Sequence, residues 1–126
     1  MPVKKKKIQK SKKPSYLYQL KISLDGIKPQ IWRRVIVDPE LKLPDLHKVI
    51  QTVMGWTNSH LHQFYFNDEI YSEPYEGNDY FYTDYRRIRL NRLIFFTKQK
   101  MQYEYDFGDG WMQPIVLEKI ITDHID

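Results

Sequence analysis

The 126-residue chain contains no cysteine, which excludes a disulfide, a thiolate zinc site and a cysteine nucleophile together. Glycine is scarce, at five residues, and no GxxxxGK[ST] run is present to cradle a phosphate. No GxSxG elbow supports serine hydrolysis. Long hydrophobic runs are also missing. Nothing approaches the roughly 18 apolar residues of a spanning helix, and no apolar stretch follows the N-terminal lysines as it would in a signal peptide. The expectation is a cytoplasmic chain without membrane contact. Its length suits one domain, large enough to hold a core without metal or disulfide staples.

The chain does have charge, unevenly placed. The formal net charge is +4, yet residues 1–14 carry seven lysines and no acid, which leaves thirteen basic against sixteen acidic residues and a balance of −3. Residues 1–15 are therefore expected to be a disordered tail, and residues 16–126 a mildly acidic single domain. Lys4, Lys5, Lys6 and Lys7 open that tail. Its ordinary role would be to solubilise, and its alternative role a weak, salt-sensitive contact with a polyanion.

Periodicity predicts the elements. Tyr16, Tyr18, Leu20, Ile22 and Leu24 alternate along a strand, Asp25-Gly26 signals a turn, and residues 31–37 form its antiparallel partner. Leu46, Val49, Ile50 and Val53 make the stripe of an amphipathic helix over residues 44–54, with Pro44 in the first turn and Gly55 as the stop. His47 lies off the stripe and reads as a surface or boundary residue. Residues 61–66, 101–105 and 115–119 read as strands, and Leu90, Leu93 and Ile94 as a short helical patch. The polar, tyrosine-rich residues 67–87 read as a long connection with at most one short strand. Trp32 and Trp111 are expected to anchor at or near the core. The fold class expected is α+β, a mixed sheet curled around one main helix in a grasp- or roll-like β-β-α-β-β-β order.

Two constellations could carry chemistry. His60 and His62 are two apart on a strand, so they leave the same face as two metal ligands would. Asp106 and Asp109, in YDFGDGW (residues 105–111), could supply an oxygen ligand if the fold joins the two segments. The metal-dependent, hydrolase-like reading needs that convergence; otherwise the histidines are polar residues hydrogen-bonded at a sheet edge and YDFGDGW is a glycine turn. No cofactor or resident metal is expected. Arg86, Arg87 and Arg89 follow a run of tyrosines, a combination that suits nucleic acid and equally suits a solvated connection. The partner, protein or nucleic acid, and the oligomeric state are left open by these residues.

Four motifs in order carry a resemblance: GIKPQIWRR (26–34), LPDLHKVIQTVMGW (43–56), SHLHQF (59–64) and YEYDFGDGW (103–111). They resemble the plasmid pRiA4b ORF-3-like family across residues 16 to about 120. The resemblance implies an α+β domain with a sheet curled around the main helix, a setting in plasmids and mobile elements, and no established activity. Together with the lysine tail and the tyrosine and arginine segment from Tyr80 to Arg92, it leads to the expectation of an accessory or interaction domain acting near nucleic acid. Family members commonly have a glutamate and a histidine directly after the YDFGDxW segment, whereas Met112 and Gln113 stand here. A site that needed that histidine would lack a ligand in this chain.

Overall fold

A strand with alternating apolar residues must bury one face, and the computed structural model shows where each strand does so. It describes residues 15–56, 61–75, 77, 81–105 and 111–122. The lysine tail, His60, Asp106 and Asp109 lie outside them. In chain order the elements are β1 (Leu17–Leu24), β2 (Ile31–Val37), α1 (Leu43–Met54), β3 (His62–Phe66), β4 (Glu69–Ser72), β5 (Thr83–Asp84), α2 (Leu90–Leu93), β6 (Lys100–Tyr105) and β7 (Trp111–Ile121).

The strands form one seven-stranded sheet in the order β2-β1-β7-β6-β3-β4-β5. All described pairings are antiparallel except β4 with β5. The expected curled sheet is thereby corrected. β2 and β5 end the ladder at opposite edges, so the sheet is open and the helix lies against it instead of being wrapped by it. The α+β class with one dominant helix stands.

The connection at residues 67–87 also holds more than the sequence suggested. Asn67 and Asp68 both take positive φ, 50° and 66°, and join Phe66 to its ladder partner Glu69. Two consecutive positive torsions make the tight turn whose twist suits a hairpin. That turn creates β4, and β5 then adds in parallel, with Tyr71 opposite Thr83.

One face of the sheet makes the core. Tyr18, Leu20 and Ile22 of β1, Phe64 of β3, Met101 and Tyr103 of β6, and Ile115 and Leu117 of β7 are buried with Leu43, Leu46 and Ile50 of α1. Each such aliphatic side chain contributes roughly 1.5–3 kcal/mol by leaving water. Val49 and Val53 complete the expected stripe but are only half-buried. Tyr18 Oη donates to the Ile94 carbonyl at 2.9 Å, tying β1 to the end of α2.

The ends of α1 follow from local chemistry. Gly55 takes φ 76°, its N–H reaches the Thr52 carbonyl at 3.2 Å, and Trp56 N–H reaches the Gln51 carbonyl at 2.9 Å. This left-handed closure satisfies carbonyls that the last turn would leave open. No basic residue occupies that turn. Arg33 supplies the cation from β2, donating from Nε to the Val53 carbonyl at 3.0 Å.

Trp32 is corrected from core anchor to surface residue, 40% exposed. It lies on the edge strand, with Lys21 and Arg34 each 5.0 Å from its ring centroid. Trp111 is half-buried opposite Tyr105.

Candidate functional site

The polar groups that converge in this fold are His47, Gln51, His62, Tyr85 and Tyr103. Positions 47 and 51 are one helical turn apart, beside the apolar stripe, so both turn toward the sheet. They are 4% and 3% exposed, which overturns the reading of His47 as a surface residue. On β3, His62 shares the face of the fully buried Phe64 and so points at the helix. The two imidazoles stack with centroids 3.4 Å apart and planes 4° from parallel.

Tyrosines clamp the pair from both sides. Tyr103 Oη lies 2.7 Å from His47 Nδ1 and accepts from Gln51 Nε2 at 3.0 Å. Burial above all holds the Tyr103 hydroxyl protonated, raising its pKa well beyond the usual phenol range. Tyr85 Oη lies 2.6 Å from His62 Nε2. Burial raises the Tyr85 pKa as well, followed by the charge of Glu73 and a hydrogen bond to it.

Beside this cluster, Gln113 of β7 faces Tyr103 across the ladder. It is fully buried, and neither its amide nitrogen nor its amide oxygen has a hydrogen-bond partner among the described residues. Trp56 closes the neighbouring end by stacking on Tyr105, centroids 4.7 Å apart and 12° from parallel.

Of the four residues expected at a site, His62 is placed in this cluster; His60, Asp106 and Asp109 lie outside the described residues. His62 pairs with Tyr105, the residue before Asp106, on an interior strand and not at a sheet edge. Among the described residues no group of three histidines or carboxylates is gathered to hold a metal ion. The hydrolase-like alternative therefore gains no support, and the cluster is an arrangement of protonated phenols, amides and stacked rings that fixes hydrogen bonds in place. His47, Gln51, Tyr85 and Tyr103 went unrecognised in the sequence. The one available signal was the pair of hydrogen-bonding residues at 47 and 51, flanking Leu43, Leu46 and Ile50.

A second feature gathers charge. Lys42, immediately before α1, and Arg86 and Arg87, after β5, line a cleft of about 550 Å³ together with Asp84. Asp84 grips the Arg86 guanidinium at 3.0 and 2.7 Å, and Arg86 in turn holds the Asp84 pKa down to about 2. Neither Lys42 nor Arg87 forms an ion pair among the described residues. Arg89 turns away from the cleft to the Glu40 carbonyl, at 2.9 Å.

The model of the plasmid pRiA4b ORF-3-like proteins matches residues 16–126. The chain belongs to that family. It is 41% identical over 102 residues to the uncharacterized protein y4hQ of Sinorhizobium fredii, a match covering 80% of this chain and 53% of that protein. The chain thus spans about half the length of this curated relative. It is also similar to the crystal structure of a protein of unknown function, MM3350 from Methanosarcina mazei Go1. There the TM-score is 0.77 at 34% identity, over 90% of this chain and 67% of the other. No helix among the described residues is long and apolar enough to cross a membrane.

Proposed function

We propose that this member of the family is an accessory interaction domain that contacts nucleic acid through the Lys42–Arg86–Arg87 cleft, with the lysine tail adding non-specific attraction. The observation that supports this reading most is the cleft itself, where cations from two distant chain segments line one concavity. Lys42 and Arg87 remain available to phosphate, because Asp84, the one acid lining the cleft among the described residues, is engaged by Arg86. The acidic balance of residues 15–126 confines the contact to this local concentration of charge instead of a broad face.

The test is a salt series of anisotropy titrations with labelled single- and double-stranded DNA and RNA. Removing residues 1–14 should weaken binding and flatten the salt dependence without abolishing it. Arg87→Ala and Lys42→Ala should then each lower the slope by about one. Loss of all binding on truncation would assign it to the tail alone. No binding of the full chain at about 50 mM salt, where phosphate contacts are weakly screened, would sink the reading and leave a protein partner.

A further inference from the structure

The sheet ends differently at its two edges. β5 is a two-residue edge whose Asp84 is tied to Arg86. β2 is a seven-residue edge whose outer side no described strand covers. An uncovered edge of that length presents backbone donors and acceptors to another chain. Here it also presents apolar surface, with Ile31 37%, Trp32 40% and Ile36 54% exposed. We propose that β2 is a docking edge for an extended, acidic segment of a partner protein, which adds to the sheet as an eighth strand.

Charge selects that occupant. Lys21, Arg33 and Arg34 lie on or beside β2, and among the described residues Glu118 answers them, held by Arg34 at 2.8 and 3.2 Å, which leaves cations in excess. Arg33 is engaged by two neutral carbonyls, of Trp32 and Val53, and keeps its full charge. An incoming strand with acids at alternate positions would set carboxylates on the outer face, beside Lys21 and Arg34, and aliphatic residues on the other face, beside Ile31 and Val35.

The other occupants fit less well. Antiparallel pairing with a second copy about the strand centre would bring Arg34 against Arg34, and like charges directly opposed destabilise a ladder. The chain's own lysine tail carries the wrong sign. A single-stranded nucleic acid would need the Trp32 ring for base stacking, but Lys21 and Arg34 already lie over it. Nor would it satisfy an edge of peptide groups. This docking edge is independent of the cleft proposed for nucleic acid, so either can fail alone.

The experiment uses the full chain and a short labelled peptide alternating valine with glutamate, followed by anisotropy and by tryptophan emission. Saturable binding is expected, with an emission change that Trp32→Phe removes. Replacing the glutamates by lysine, or N-methylating the peptide amides on its pairing side, should each weaken binding about tenfold or more. Lys21→Gln should weaken it as well, with the melting curve of the variant recorded alongside so that lost binding is separated from lost stability. Absence of saturation up to about 1 mM would overturn the proposal. So would equal affinity for the lysine or N-methylated peptide. Displacement of the peptide by self-association in sedimentation would assign the edge to a second copy, and displacement by an oligonucleotide would assign it to nucleic acid; either result overturns the acidic peptide.

Discussion

The rings of His47 and His62, one on a helix and one on a strand, stack 3.4 Å apart and nearly parallel, each also against a tyrosine hydroxyl. A stack this close is held by its surroundings: Tyr103 and Gln51 fix one ring, Tyr85 the other. The cluster is thus the polar link between α1 and the sheet, set into an otherwise apolar layer.

Tyr103→Phe tests that link. It removes the acceptor of Gln51 Nε2 and the hydrogen bond to His47 Nδ1 while keeping the ring in place. The expected loss is about 2 kcal/mol, the range for depriving buried polar groups of a partner. Urea melts measure it. In a double-mutant cycle with Gln51→Leu the two losses should fall short of additive by about 1 kcal/mol; simple additivity would show that the residues do not act as a unit.

Gln113→Leu should move stability the other way. The amide is fully buried and unpartnered among the described residues, and leucine has similar volume without the desolvation cost. A gain of about 1 kcal/mol is expected. A comparable loss would mean that the amide has a hydrogen-bond partner in the native protein.

Gly55→Ala isolates backbone strain. The residue sits at φ 76°, and an added Cβ would meet nothing within 4 Å, so no steric clash complicates the comparison. A cost of about 1 kcal/mol is expected from the left-handed torsion alone, with Gly55→Asn costing less. Equal melts for all three proteins would show that the closure of α1 does not depend on this torsion.

Acid should expose the surface pairs. The Arg34 hydrogen bond, then that of Gln19, holds the Glu118 carboxyl at about 2 instead of 4.5. Arg86 does the same for Asp84, to about 2 from 3.8. A pKa lowered on folding gives stability that is present above the unfolded value and is lost as pH falls toward the folded one. The window is therefore from about 4.5 down to about 2. Glu118→Gln and Asp84→Asn should each flatten the fall in melting temperature across that window, with Glu118→Gln reaching to higher pH. Both groups are at the surface, so added salt should shrink the difference. Unchanged acid limbs would show that these pairs contribute nothing to stability.

Local pattern determined much of this protein. Alternation in β1, the stripe at Leu46 and Ile50, and the stop at Gly55 depend on neighbours within a few residues, and their periods are visible in one dimension. Family membership was legible for the same reason, through four short motifs in order. What tertiary structure alone decided was pairing and burial. Trp32 and Leu20 read alike as residues of apolar strands, but only the strand order makes β2 an edge and leaves Trp32 exposed. Asn67-Asp68 lacks the glycine that usually marks a two-residue hairpin, so β4 emerged only with its backbone torsions. His47 and His62 are joined by no sequence period. They meet because the helix rotates one, and the pleat of β3 directs the other, into the same buried layer, where each must find a partner that water would otherwise have supplied.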